Sequence, residues 1–357
     1  MRTAIIGLPL TGKSSLFTIL TGAHQQARLG TLEARAGITK VPDPRLEALA
    51  RIFEPEKITH ATLEYVDFPS ISKEALREPG YLASLRVVDA LAHVLRLFES
   101  DTVPHEKGSL DPLRDMRDVE AELILSDLAV AEKRLERLDK DRKKIKNPDL
   151  DHEFELLTRA RSALENGTPL RELPLSPEDE KRIRGFQFLS QKPILFVLNL
   201  GEEDAPRLHQ IEAQYRSGPL AGKPQTAVTA VCGKIEAELA ELRPEEAADY
   251  LASFGLQESA LERLIQATYA LLGLISFLTA GETEVRAWTV PRGTTALKAA
   301  GTIHTDFEKK FIRAEVVHWD DLVRCGGYAG VREKGLLRLE GKEYVVKDGD
   351  VLVIRHG

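Results

Sequence analysis

The run Gly7-Leu8-Pro9-Leu10-Thr11-Gly12-Lys13-Ser14 has the spacing G-x-x-x-x-G-K-S, and its residue types can hold phosphate. Gly7 and Gly12 let the backbone curl so that successive N–H groups point inward at phosphate oxygens. Lys13 can reach the β and γ phosphates, and the Ser14 hydroxyl can ligate Mg²⁺. Thr3 to Ile6 is apolar or β-branched and reads as a buried strand, while Ser15 to Leu20 reads as a helix whose N-terminus adds partial positive charge. Strand, glycine loop and helix in that order favour a P-loop over a chance glycine loop beside a surface lysine, and imply a bound mononucleotide. Ala61 to Asp67 reads as a second strand, ending in an acid. An aspartate there is an ordinary turn residue if it stands alone. Downstream of a P-loop it is the group that orders the Mg²⁺ hydration shell.

Several elements must position these groups. Leu91 to Phe98, Pro193 to Leu198 and Thr226 to Val231 read as further buried strands, with helices at Ile235 to Leu242 and Leu261 to Leu272. Strands alternating with helices predict an α/β domain. The stretch from Gly22 to Thr39 is polar, lacks period and reads as a loop beside the nucleotide. Between the strands, Asp115 to Lys146 is long, charged and helical in period, with Leu123, Leu128, Leu135 and Leu138 on one stripe. Asn147-Pro148 breaks it, and Leu150 to Leu164 gives a second helix. Two helices around a short turn predict an antiparallel helical hairpin inserted in the α/β domain. Its tip carries Lys140, Arg142, Lys143, Lys144 and Lys146 against Asp139 and Asp141, a pattern that reads equally as a solvated helix end or a binding patch.

From Ser276 the pattern changes. Glu284 to Val290, Leu336 to Leu339, Glu343 to Val346 and Val351 to Ile354 read as strands, with a short helix over Asp306 to Phe311 and turns at Glu340-Gly341 and Asp348-Gly349. The predicted division is 1–110 with 190–275 as the nucleotide domain, 111–189 as the inserted hairpin and 276–357 as a small α+β module.

The chain has 357 residues, 43% apolar and 29% charged, with a net charge of -7, so a general affinity for nucleic acid is not expected and any such contact must come from local patches. Cys232 and Cys325 are too few for a disulfide framework or a cysteine zinc site, which points to a reducing compartment. No apolar run is long enough to span a membrane, and a strand starting at residue 3 leaves no room for a signal peptide. A cytoplasmic protein without membrane contact is the expectation.

The residues then resemble one family, the YchF or Obg-like ATPases within the Obg group of translation-factor NTPases. Thr279-Ala280-Gly281, Glu284 to Thr289, Ala299-Ala300-Gly301, Ile303 to Lys309 and Lys347 to Asp350 look like its TGS module, a ubiquitin-like β-grasp; Pro42 to Leu46 and the order of domains fit too. The resemblance covers essentially the whole chain. It implies a P-loop NTPase domain with an inserted coiled-coil hairpin and a C-terminal TGS domain. It implies metal ligands at Ser14 and Thr31, phosphate contacts over Leu10, Thr11, Gly12, Lys13, Ser14 and Ser15, and a metal-side acid at Asp67. The base-reading box falls on Asn199-Leu200-Gly201-Glu202, and Cys232 sits on the last base-side loop. Guanine readers of this fold carry N-K-x-D; the longer Glu202 displaces the carboxylate and weakens discrimination against adenine. The resemblance therefore implies ATP, with GTP as the alternative, slow Mg²⁺-dependent hydrolysis served by Lys13 and Asp67, and the ribosome as partner. The TGS module and hairpin-tip residues Arg142, Lys143 and Lys144 would be its RNA contacts.

This sequence departs from the family pattern at several places. Leu10 replaces the asparagine of P-N-V-G-K-S, Gly30 replaces the cysteine before Thr31, and the glycine of D-x-A-G has become Ser70. The phosphate-binding half is intact and the switching half is eroded. Two rival readings follow: a non-hydrolysing nucleotide-binding scaffold for the ribosome or another partner, and a GTPase.

Overall fold

The computed structural model describes residues 1–22 and 34–357. Thr31, the second expected metal ligand, lies outside them. The chain divides into two compact units, Met1–Gly37 with Glu64–Ala267 and Ile38–Leu63 with Thr268–Gly357.

The first unit is built on a six-stranded sheet. Its strands are β1 (Arg2–Ile6), β2 (Arg35–Lys40), β3 (Thr62–Asp67), β4 (Ala90–Arg96), β5 (Ile194–Asn199) and β6 (Thr226–Val231), in the order β2-β3-β1-β4-β5-β6. β1 pairs in parallel with β3 and β4, and β4, β5 and β6 continue in parallel. β4 and β5 are buried at every position, as strands covered on both faces must be, which is why they read as unbroken apolar runs. The chain leaves β1 toward β3 on one side and returns to β4 on the other. The loop after β1 therefore opens at the crevice where strand order reverses.

β2 corrects the sequence reading of a loop reaching Thr39. It is a strand whose residues alternate between shielded and exposed, but Arg35, Gly37 and Thr39 take the shielded side. That polar face hides the period from a search for apolar residues. Gly37 is required there: a Cβ would lie 2.7 Å from the Thr21 side chain.

The expected break at Asn147-Pro148 has a local cause. Helix α2 spans Pro112–Arg142 and helix α3 spans Pro148–Glu165; Asn147 accepts from the Asp149 amide and Pro148 occupies the first helical turn. α3 packs back along α2 through Leu135, Leu138, Leu156, Leu157, Ala160 and Leu164. Asp127 is fully buried on α2 and accepts from the Leu189 and Ser190 amides at 2.9 and 2.7 Å, tying the helix to the segment that enters β5. At the turn, Arg142 pairs with Asp151 of α3 and lies 4.2 Å over the Phe154 ring, while Lys143 pairs with Asp139 at 2.5 Å. The tip bases thus face a third acid, Asp151, besides the two expected.

The second unit holds a six-stranded mixed sheet. In order, its strands are Arg338–Glu340, Phe311–His318, Asp350–His356, Leu274–Ala280, Glu284–Pro291 and Lys57–Thr59. The helix Ala296–Ile303 buries Ala296, Ala299 and Ala300 in a core with Phe277, Val316 and Leu352. Two expectations shift here, the short helix and the strand at Glu343 to Val346. The short helix is Thr305–Lys309, and Phe311 instead opens a strand. Glu343 to Val346 is not a strand; only Val345 makes a bridge, to Thr295. The Asp43-Pro44-Arg45 run belongs to this unit: Asp43 caps the helix Pro44–Phe53, and Arg45 pairs with Asp348 at 2.8 Å.

Candidate functional site

The loop from Gly7 to Gly12 ends in helix α1 (Lys13–Thr21), whose first turn contains no acid, so its N-terminal dipole is left to attract an anion. Gly7 has φ +146° and a Cβ there would lie 2.6 Å from the Val94 carbonyl; Gly12 has φ +93° and a Cβ there would overlap Asn199 Nδ2. Both glycines are thus required by conformation and by space. Leu10 also has positive φ, +59°, with its side chain exposed. Asparagine tolerates that region better than leucine, so the departure at this position places strain in the loop.

Lys13 is buried, and its Nζ donates to the Leu8 carbonyl at 2.5 Å and to Ser70 Oγ at 3.1 Å. The residue that replaced the switch glycine therefore accepts from the loop lysine. The segment around it is pinned. Phe68 N donates to Ile5 O at 3.1 Å, Ile71 N to Gly7 O at 3.3 Å, and the Tyr81 hydroxyl to Pro69 O at 2.9 Å. The Ile71 amide, a substitute candidate for a phosphate contact, is engaged by the loop.

Burial pushes the Lys13 ammonium down to about 8, opposed by the charges of Asp67 and Glu106. A bound polyphosphate favours the protonated amine, so nucleotide binding above pH 8 must take up a proton, while below pH 7 the amine is already charged. Calorimetry of ATP binding in buffers of different ionisation enthalpy is expected to show uptake approaching one proton at pH 9 and none at pH 6.5. Affinity should fall up to about tenfold per pH unit above 8. A pH-independent proton balance would contradict a role for Lys13 at the phosphates.

Asp67 ends β3 and is 4% exposed; Oδ2 pairs with Arg35, and Oδ1 has no hydrogen-bond partner among the described residues. Ser14, in the first turn of α1, is an exposed residue. A buried carboxylate oxygen without a partner and the hydroxyl of an exposed serine on the phosphate loop are hard oxygen donors, the set a hydrated divalent cation needs.

Asn199 at the end of β5 bridges two loops: Nδ2 donates to the Thr11 carbonyl at 3.0 Å and Oδ1 accepts from the Gly233 amide at 3.0 Å. Beside it lies a cavity of about 530 Å³ lined by Gly12, Ser15, Asn199, Leu200, Glu202, Gly233 and Lys234, with Phe98, Glu99, Ser100 and Thr102 on another wall. That volume suits a nucleoside. Glu202 pairs with Lys234 there. Leu200 is buried, and its amide donates to Val231 O at 2.8 Å. Cys232 is buried and does not line the cavity; burial pushes its thiol up.

Sequence reasoning missed Arg35, Lys234 and the wall from Phe98 to Thr102. The wall could have been found as the residues just past the apolar strand β4, at the sheet end where the crevice opens. His93 was also missed. It is buried in β4, its ring nitrogens have no hydrogen-bond partner among the described residues, it lies under Gly7, and it is held neutral by burial and by Lys13 and Arg171, its pKa lowered to about 3.

The five parallel strands β3-β1-β4-β5-β6, the glycine loop at the reversal of their order and the cavity beside it define a P-loop nucleotide-binding protein. Residues 274–357 match the family model YchF-GTPase_C, described as a protein of unknown function (DUF933). The chain is 41% identical over 362 residues to the "Ribosome-binding ATPase YchF" of Bacillus subtilis, covering 99% of each chain. It is 42% identical to the protein of that name from Haemophilus ducreyi, covering 99% of this chain and 98% of the relative. The solved structure of the Schizosaccharomyces pombe YchF GTPase superposes with a TM-score of 0.85 at 29% identity, covering 99% of this chain and 97% of that one. The chain belongs to the YchF family. Membership in a P-loop NTPase family implies a divalent metal, and the donor set at Asp67 and Ser14 fits one.

Proposed function

We propose that the chain binds Mg²⁺-ATP at the phosphate loop, hydrolyses it slowly and acts in the cytoplasm on the ribosome. The observation that carries the reading is the Asn199 clamp, which joins an intact phosphate loop to a base-side cavity walled by Glu202 rather than aspartate. The naming of its relatives as ribosome-binding ATPases supports the partner. Ser14 and Thr31 would hold the metal and Asp67 its hydration shell, and Lys13 would stabilise phosphoryl charge. Bound there, the metal would neutralise charge developing on the β and γ oxygens. Leu10 to Ser15 would contact the phosphates. Asn199, Leu200, Glu202 and the Cys232 loop would surround the base. Residues 1–110 with 190–275 would form the nucleotide domain, with 38–63 packed in the second unit, 111–189 a coiled-coil insertion and 276–357 a TGS module of β-grasp type. Among the described residues no helix is long and apolar enough to cross a membrane.

Base choice tests the cavity. ATP is expected to bind as well as or better than GTP, and Glu202→Asp combined with Leu200→Lys to move preference toward GTP. A wild type that prefers GTP by more than about tenfold, about 1.4 kcal/mol, would make the protein a GTPase instead. Competitive titration of the two nucleotides decides it.

The ribosome reading is tested by nucleotide-dependent co-sedimentation with Lys13→Ala as control. Reversing Arg142, Lys143 and Lys144 to glutamate should leave ATP binding unchanged while weakening ribosome association and flattening its salt dependence. The loss is expected to be about threefold to tenfold rather than complete, because Arg142 and Lys143 already have acidic partners. Equal pelleting of variant and wild type across a salt series would return the tip to a solvated helix end.

A second reading, a nucleotide-holding scaffold without turnover, is favoured by the Lys13–Ser70 contact and the engaged Ile71 amide. Single-turnover measurements with and without ribosomes separate it from the ATPase.

A further inference from the structure

Arg35 is the first residue of β2, and its guanidinium is held between a carboxylate and an aromatic ring. It pairs with Asp67 Oδ2, lies 5.2 Å over the Phe17 ring of α1, and is carried by a strand that Gly37 brings against Thr21. Its side chain is 20% exposed and that of Asp67 4%, so the pair is shielded from water and weakly screened. A carboxylate this buried needs a positive neighbour, and Arg35 supplies one. The same carboxylate is the acid that would order the metal's water shell, and two cations crowded on one buried carboxylate repel each other.

We infer that Arg35 competes with the divalent cation for the Asp67 carboxylate and so sets the Mg²⁺ concentration at which nucleotide binds tightly. Mg²⁺ recruitment then requires Arg35 to release Asp67 or to share it through the unpaired Oδ1. The inference rests on the reading of Asp67 as the metal-side acid.

The test is ATP titration by calorimetry over a series of free Mg²⁺ concentrations. In Arg35→Gln the Mg²⁺ needed for half-maximal affinity should fall about threefold to tenfold. Arg35→Lys keeps the charge but loses the guanidinium's place over Phe17, and should shift clearly less than Arg35→Gln. Thermal unfolding supplies a second readout. Arg35→Gln should melt below wild type in EDTA, where Asp67 has lost its ion-pair partner and keeps only the nearby Lys13 charge, and the gap should narrow with Mg²⁺ and ADP, where the metal takes that partner's place. A third measurement needs no variant to survive purification: the Arg35 Nε nitrogen-15 shift of the wild type should move with Mg²⁺-ATP and not with ATP in EDTA. An unchanged Mg²⁺ half-point in Arg35→Gln, an equal shift in Arg35→Lys, a melting gap that Mg²⁺ leaves unaltered, or an unmoved Nε signal would overturn the inference. Wild-type ATP affinity that does not depend on Mg²⁺ would overturn the metal reading of Asp67 with it. A wild type that does depend on Mg²⁺, beside an unshifted Arg35→Gln, would overturn this inference alone.

Discussion

Lys13→Ala is expected to weaken Mg²⁺-ATP binding by well over tenfold, a loss of more than about 1.4 kcal/mol. Lys13 is the only cation between Gly7 and Ser15, and its Nζ stands within hydrogen-bond distance of both the loop carbonyl Leu8 and the segment after Asp67. A hydrogen bond from an ammonium to a phosphate oxygen contributes about 1.5–3 kcal/mol where water is excluded. Ser14→Ala should also lose more than about tenfold in affinity, but only when Mg²⁺ is present, because the serine acts through the metal. Calorimetry of both variants, each shown by thermal unfolding to be folded, checks the pair. Unchanged affinity in both would remove the phosphate loop as the nucleotide site.

Asn199→Ala is expected to lower thermal stability and the affinity for ATP and GTP together. The side chain is 7% exposed, and both of its polar atoms bond backbone groups on separate loops. Its removal leaves the Thr11 carbonyl and the Gly233 amide without partners, at about 1–3 kcal/mol for each buried group. It also unties the phosphate loop from the base-side loop, so the two halves of the site lose their common spacing. Affinity for either nucleotide should fall by at least about tenfold, or about 1.4 kcal/mol. Asn199→Asp should not rescue it, since a carboxylate keeps the acceptor for Gly233 and faces the Thr11 carbonyl with a second acceptor. Denaturation and paired ATP and GTP titrations measure both effects. A loss confined to one nucleotide would mean that Asn199 reads the base rather than holding the loops.

What could be read from the sequence alone were features whose causes lie close together in the chain. Gly7, Gly12, Lys13 and Ser14 act as one contiguous loop, and the strand and helix that give the loop its meaning adjoin it. Asn147-Pro148 ends one helix and starts the next through a cap and a first-turn proline, both local devices. The buried strands β4 and β5 announce themselves because every residue in them is covered. β2 did not, because an edge strand with polar residues on its shielded side carries no apolar period, and Lys57–Thr59 is too short to show one. The partners within the site were equally hidden. Arg35 meets Asp67 across 32 positions, Ser70 meets Lys13 across 57, and Asn199 meets Thr11 across 188. Each pair is brought together by the order of strands in the sheet, which residue types and spacing do not encode locally. Thus the sequence determined the phosphate-binding chemistry of the loop and the residue standing where guanine readers carry aspartate. Only the tertiary structure decided that Glu202 faces Lys234 at the cavity, that Lys13 is shared with Ser70 and that Asp67 pairs with Arg35; for Lys13 and Asp67 the cause is burial, which leaves a charged group few partners to choose from.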